Sequence, residues 1–98
     1  MPQPALNALE GKFPEIVARM KGYFDSHDFI LKLAQAHQQL YVAALAAYAD
    51  KDYPFQIVHG EIARRLLHHP ELVTKVGENT SEDIFHQKSS ATVWRKVG

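Results

Sequence analysis

The chain has 98 residues, which is enough for one small domain. Its 11 lysine and arginine residues equal its 11 aspartate and glutamate residues, so the formal net charge is zero and any surface for nucleic acid has to be local. The chain contains no cysteine, which excludes disulfides and thiolate metal sites, and its six histidines make the net charge sensitive to pH near about 6.

The first dozen residues, 1–12, predict a flexible tail, because Pro2, Pro4 and Gly11 interrupt any regular pattern. This segment lacks a basic start followed by a continuous apolar stretch, so no signal peptide is expected. The most apolar segment, YVAALAAYA at residues 41–49, is too short to cross a membrane. We therefore expect a cytoplasmic protein with no membrane partner.

The next forty residues predict two helices. The first runs from Pro14 to about Phe24, because proline suits the first helical position and apolar residues then recur at helical spacing. Ser26 is the predicted N-cap of the second helix, over about residues 27–49. This helix carries two adjacent apolar seams, beginning at Phe29 and Ile30, and together they form an arc wider than one surface helix needs.

The wide apolar arc predicts that residues 14–50 form both a helical core and the contact surface of a homodimer. The small alanine side chains in the arc would let a helix of a second copy approach closely. The predicted interface residues are Phe29, Leu33, Leu40, Tyr41, Tyr48 and Trp94.

Two prolines divide the segment that follows. Pro54 begins a third helix, which is predicted to end near His68 because Pro70 disfavours helical geometry in the residue before it. Pro70 itself can open a short fourth helix, PELVTKV, which Gly77 terminates.

The C-terminal segment is rich in β-branched and aromatic residues and predicts a hairpin. Its arms would be residues 84–87 and 91–97, joined through the polar turn Lys88-Ser89-Ser90. The alternative is a last helix capped by Ser90.

Residues 60–76 have the apolar pattern of two short helices that pack at a corner. One helix carries the apolar residues Ile62 and Leu66 and, beside them, the small residue Ala63. Val73 and Val76 are the apolar residues of the second helix that would pack against the first. This pattern resembles the helix-turn-helix of DNA-binding proteins, and with the hairpin residues 60–98 resemble a winged helix-turn-helix. Residues 54–98 are therefore expected to form the helix-turn-helix and its wing. The predicted fold is α+β, mainly α: a single domain over residues 1–98 with three longer helices, a short fourth helix and a C-terminal β-hairpin.

The resemblance implies duplex DNA as a partner, with the short helix in the major groove and the wing on the backbone. His69, Thr74 and Lys75 would face the bases, and Arg64 and Arg65 would meet phosphates. The remaining predicted contacts lie on the wing: Lys88, Arg95 and Lys96. These three cations follow the last acidic residue of the chain, and this local excess of positive charge favours nucleic acid.

No catalytic motif accompanies these features. The sequence contains no nucleophile elbow, glycine-rich phosphate loop or paired carboxylates, so we expect no enzyme, cofactor or small-molecule substrate. His59, His68 and His69 are not spaced to converge on a metal ion. The alternative function is a protein-interaction or assembly module that forms a helical homo-oligomer and has no nucleic-acid role.

Overall fold

The structure, a computed structural model, describes residues 3–97. These residues form an α+β fold of five helices and one three-stranded antiparallel sheet, in which β3 lies between β1 and β2. The elements are α1 (Pro4–Glu10), α2 (Phe13–Arg19), β1 (Tyr23–Asp25), α3 (Ser26–Ala36), α4 (Gln38–Ala46), α5 (Pro54–Leu66), β2 (Val73–Glu82) and β3 (Lys88–Lys96). The predicted α+β class is confirmed, whereas the number and lengths of the helices differ. None of these helices is long and apolar enough to cross a membrane.

The predicted flexible tail is wrong for residues 4–10, which form α1. Pro4 lies in the first turn, where a missing N–H has no intrahelical partner to lose. Leu6 and Leu9 are fully buried, and burying a leucine side chain stabilises a fold by about 1.5–3 kcal/mol. The helix α1 is therefore part of the core, while residues 1 and 2 lie outside the described part of the chain.

The predicted first helix ends at Arg19 rather than at Phe24. Met20 leaves helical geometry, with φ −80° and ψ 161°, and three residues later the chain has entered β1. Phe24 in β1 lies opposite Trp94 in β3, and both rings are buried. Phe24 thus reaches the core from a strand, although its spacing fits a helix equally well.

The predicted second helix is two helices, because the chain turns at His37. This residue has φ −132° and ψ 61°, ends α3 and precedes α4. Its Nε2 lies 2.9 Å from Oε2 of Glu15 in α2. The turn lets α3 bury Phe29 and Leu33 while α4 buries Ala44 against other parts of the core. Two differently directed helices therefore account for most of the width of the apolar arc.

The predicted short fourth helix is wrong, because Val73–Glu82 is the strand β2. Only one turn separates α5 from this strand, and the backbone N–H groups of Leu72 and Val73 both donate to the carbonyl of His69, at 2.9 and 3.1 Å. β-branched residues such as Val73 and Thr74 suit a strand. Pairing along β3 also gives the segment a continuous ladder of hydrogen bonds, which a helix of two turns cannot match.

A C-terminal hairpin is present, but it differs from the predicted one. Its first arm is β2, and its turn lies at residues 83–87, where the first arm was predicted, instead of at residues 88–90. Asp83 builds the turn, since its Oδ1 accepts hydrogen bonds from the backbone N–H of Gln87 (3.0 Å) and Phe85 (2.8 Å). These two amides hold the pKa of Asp83 below its ordinary value. His86 adopts φ 63°, in the left-handed region that histidine enters more readily than most residues. Ser90 lies in β3, so the alternative helix is not formed.

Trp94 lies at the centre of the core and ties β3 to the start of α3. Its Nε1–H donates to Oγ of Ser26 at 3.0 Å, and both groups are buried. Ser26 is therefore not the N-cap of α3; that position belongs to Asp25, whose Oδ1 accepts from the N–H of Asp28 at 2.9 Å. Three predicted interface residues are fully buried within one chain and present no surface to a partner: Phe29, Leu33 and Trp94.

Candidate nucleic-acid interface

The base of the hairpin brings four of the predicted DNA-contacting residues together: Thr74, Lys75, Arg95 and Lys96. Arg95 in β3 lies directly opposite Thr74 on one side and Tyr23 on the other. Cross-strand partners share a face of the sheet, and all three of these side chains are exposed. The neighbouring pair, Phe24 and Trp94, is buried. The sheet thus has a core face and a solvent face, and Arg95 lies on the solvent face.

A β-bulge interrupts β2 beside this base. Lys75 pairs with Trp94 and Gly77 pairs with Val93, so Val76 is an extra residue in β2. Val76 is 55% exposed, which corrects its predicted inward position in a second helix. A bulge bends its strand and increases the local twist. The bulge therefore separates the base of the hairpin from the arm that leads to Lys88.

The cationic side chains of the hairpin differ in whether other groups of the protein bind them. Among residues 3–97, Lys75, Lys88 and Arg95 have no carboxylate within ion-pair distance, and all three side chains are exposed. Lys96 instead directs its Nζ to backbone carbonyls at the end of α2, those of Ala18 (3.1 Å) and Met20 (3.4 Å). Lys96 therefore ties the last strand to α2, and the other three cations are available to a ligand.

The predicted phosphate contacts on α5 are occupied by carboxylates. Arg64 lies 2.6 Å from Glu61, and Arg65 lies 3.0 Å from Glu10 and 3.5 Å from Glu61. His69, just beyond α5, lies 2.7 Å from Glu10 and 3.1 Å from Glu71.

Burial disfavours the charged form of His69, but its hydrogen bonds to Glu10 and Glu71 outweigh burial and raise its pKa above the ordinary value. The groups around Arg65 and His69 therefore join α1 to α5 instead of facing a ligand.

A polar cleft of about 270 Å³ lies between α5, the start of α3 and the hairpin arm. His27 bridges the two strands of the arm, with Nδ1 2.8 Å from Oγ of Ser81 and Nε2 3.1 Å from Oγ of Ser89. Glu78 and Asp83 also line this cleft. Two carboxylates beside the arm make this side of the hairpin unfavourable for phosphate.

Aromatic rings hold the hairpin turn against α5. The ring of Phe85 meets Phe55 edge-on at 4.8 Å and stacks on His59 at 6.3 Å. His59 also lies 2.6 Å from the hydroxyl of Tyr41 in α4. Burial lowers the pKa of His59; the charge of Asp83 acts against this shift and that of His27 acts with it. The turn is thus packed on the body of the protein.

The solvent face of the sheet continues into a groove of about 310 Å³ between the end of α2 and α3, which we call the α2–α3 groove. Its lining includes Arg19, Lys21, Tyr23, Asp28, Leu31 and Lys32. Sequence reasoning missed this groove, because its cations are separated by up to 13 positions in the chain. The available signal was the basic end of α2, where Arg19 and Lys21 precede the turn into β1.

The remaining predicted interface residues, Leu40, Tyr41 and Tyr48, are partly buried against the core. Beside them lies an open apolar groove between α4 and α5, of about 310 Å³. Val42 is 60% exposed and Phe55 40% exposed in this groove. The surface of α4 that remains for a partner is therefore different from the one predicted.

The arrangement offers exposed cations and hydroxyl groups for an anionic ligand. Across residues 3–97, no group of three or more histidine and carboxylate side chains is placed to hold a metal ion. The chain matches no family model, no curated protein and no solved structure.

Proposed function

We propose that the protein binds duplex DNA as a winged-helix type of domain, with the β2–β3 hairpin as its wing. The observation that carries this proposal is that two exposed cations at the base of the hairpin have no acidic partner among residues 3–97. Arg95 lies on the solvent face of the sheet, and Lys75 lies in β2 opposite Trp94, at the exposed edge of the other face. Lysine and arginine side chains that displace counterions from phosphates supply most of the affinity for DNA.

The test is the salt dependence of duplex binding, measured by fluorescence anisotropy between about 50 and 200 mM salt. Changing Lys75→Gln and Arg95→Gln together should reduce the slope of log affinity against log salt by about two, because each lost phosphate contact removes roughly 0.9. The control changes Lys12→Gln and Lys51→Gln, which removes the same charge from residues that lie outside the hairpin and outside the α2–α3 groove. Absence of wild-type binding at the lowest salt, or equal slopes for the two double variants, would contradict the proposal.

A second candidate function, self-association, is favoured by the apolar groove between α4 and α5. Soluble domains seldom leave such a surface uncovered, and the groove includes Val42, Leu45 and Phe55. We propose that a second copy of the chain covers this groove. A dimer formed there leaves the base of the hairpin free, so the two candidate functions are compatible.

Changing Val42→Asp should convert a dimer to a monomer, since a carboxylate placed in an apolar contact would lose its water without gaining a partner. Sedimentation equilibrium measures the mass, and circular dichroism checks that the helices remain. Val76→Asp is the matched control, because Val76 is exposed to a similar extent in the β2 bulge. A wild-type chain that stays monomeric at high concentration rules out this contact.

A further inference from the structure

The α2–α3 groove is a second cationic surface that adjoins the base of the hairpin. Lys21 and Lys32 lie in its lining, and within residues 3–97 neither has a carboxylate at ion-pair distance. Arg19 is also present and is shared with Glu15, at 3.2 Å in an exposed pair. Exposed pairs of this kind contribute little to stability, so the guanidinium can exchange its partner for another anion.

Tyr23 connects the groove to the hairpin. It lines the groove, is 63% exposed, and lies directly opposite Arg95 across β1 and β3. Adjacent strands are about 4.8 Å apart, so Thr74, Arg95 and Tyr23 form a row about 10 Å long on the solvent face of the sheet. This row of hydroxyl groups and one guanidinium therefore leads from β2 across β3 to the cations of the groove.

The composition of this surface fits a phosphodiester backbone. Contacts to DNA phosphates come mainly from arginine, lysine and hydroxyl side chains, including tyrosine, and these contacts fix the position of the protein on the duplex. An anionic membrane would favour cations with a broad apolar rim. In the groove, Met20 and Phe24 are buried, and the exposed large side chains with apolar surface are Leu31 and Tyr23. The cleft on the other side of the hairpin arm is lined by Glu78 and Asp83, which would repel phosphates.

We infer that the DNA footprint extends from the base of the hairpin across β1 into the α2–α3 groove, where Arg19, Lys21 and Lys32 hold backbone phosphates. This inference rests on the proposed DNA binding and gives it a direction, away from the cleft between α5 and the hairpin arm. One charge opposes it: the carboxylate of Asp28 lies in the groove. Removing the charge of Asp28 should therefore raise the affinity for DNA, whereas removing the charge of a lysine should lower it.

The experiment measures duplex affinity and its salt slope for three variants of the full chain. Lys21→Gln with Lys32→Gln should lower the slope by about two, as for the hairpin pair. Asp28→Asn, which keeps the shape of the side chain, should strengthen binding about two- to threefold, because one like charge near the phosphates is removed. The control is again Lys12→Gln with Lys51→Gln, and circular dichroism verifies that each variant folds.

The outcomes separate this inference from the proposed function. If the hairpin pair weakens binding while both groove variants bind as the wild type does, DNA binding stands and the groove is excluded from the footprint. If the wild type binds no duplex at low salt, both proposals fail. Vesicles containing about 30% phosphatidylserine form a further arm: binding to them that is lost in the Lys21/Lys32 variant, without any change in DNA affinity, assigns the groove to a membrane and overturns the inference.

Discussion

Glu10 in α1 binds two side chains that are distant from it in the sequence, those of Arg65 and His69. One carboxylate oxygen lies 3.0 Å from Arg65 and the other 2.7 Å from His69. Both cationic side chains are largely buried, at 16% and 20% exposure. Arg65 and His69 were predicted to contact DNA because their shared partner, Glu10, could not be identified from the sequence: it lies 55 and 59 positions away in the chain. Patterns of local spacing cannot reveal a partner at that separation.

The raised pKa of His69 has a consequence for stability. A histidine whose folded pKa lies above its unfolded value of 6.5 stabilises the fold fully below that value and loses the contribution as pH rises through the folded pKa. The stabilisation by His69 should therefore be present below the ordinary histidine value of 6.5 and should be lost as the pH rises above it.

Urea unfolding of His69→Gln tests this prediction. The difference in unfolding free energy from the wild type should be largest near about pH 6 and should shrink as the pH rises. His68→Gln is the matched control, since His68 is exposed and makes no ion pair with any described residue. A His69→Gln difference that is constant with pH would mean that the imidazolium form contributes nothing.

At the scale of elements, the start of α3 combines two functions in adjacent residues. Asp25 caps the helix, and Ser26 accepts the hydrogen bond of Trp94. The N-cap was predicted one residue too late, at Ser26, because serine and aspartate are equally good N-caps. The partner of Ser26, Trp94, lies 68 positions away and could not be identified from the sequence.

Changing Asp25→Ala should destabilise the protein by about 1 kcal/mol, the usual cost of losing an N-cap acceptor. Asp25→Asn keeps an oxygen in the same place and should retain most of the stability. Urea denaturation of the two variants gives the comparison. Equal losses would show that the charge of Asp25, and not its capping oxygen, is what α3 requires.

The elements also show which parts of the fold the sequence could predict. Pro54 at the start of α5 and the β-branched C-terminal segment are local signals, and the helix and the second arm of the hairpin that they predicted are present. The turn at His37 carries no local signal, because neither glycine nor proline marks it and Glu15 lies 22 positions away. The first four residues of β2, 73–76, were predicted as part of a helix because Pro70 and Gly77 are typical helix boundaries, whereas pairing with β3 decided their conformation.

At the scale of the whole molecule, the net charge is zero, but the paired and the unpaired cationic side chains lie in different parts of the structure. The acidic partners of Arg64, Arg65 and His69 are drawn into contacts around α1 and α5. Lysines 21, 32 and 75 and Arg95 remain unpaired within residues 3–97. Tyr23 lies between Arg95 and the groove that contains Lys21 and Lys32. The sequence predicted the hairpin cations from the local excess of positive charge after Asp83. It could not predict the groove, because β1 and its pairing to β3 bring α2 beside the hairpin.

The hairpin is held to the body of the protein at three places along its length, and this affects how it can bind a ligand. Trp94 holds its base, His27 the end of the arm next to the turn, and Phe85 the turn itself. An arm held in this way does not sweep freely through solvent, so the entropy of ordering it is already lost when the chain folds. A ligand that meets this arm finds its charges in place, and complex formation does not have to supply that ordering free energy again.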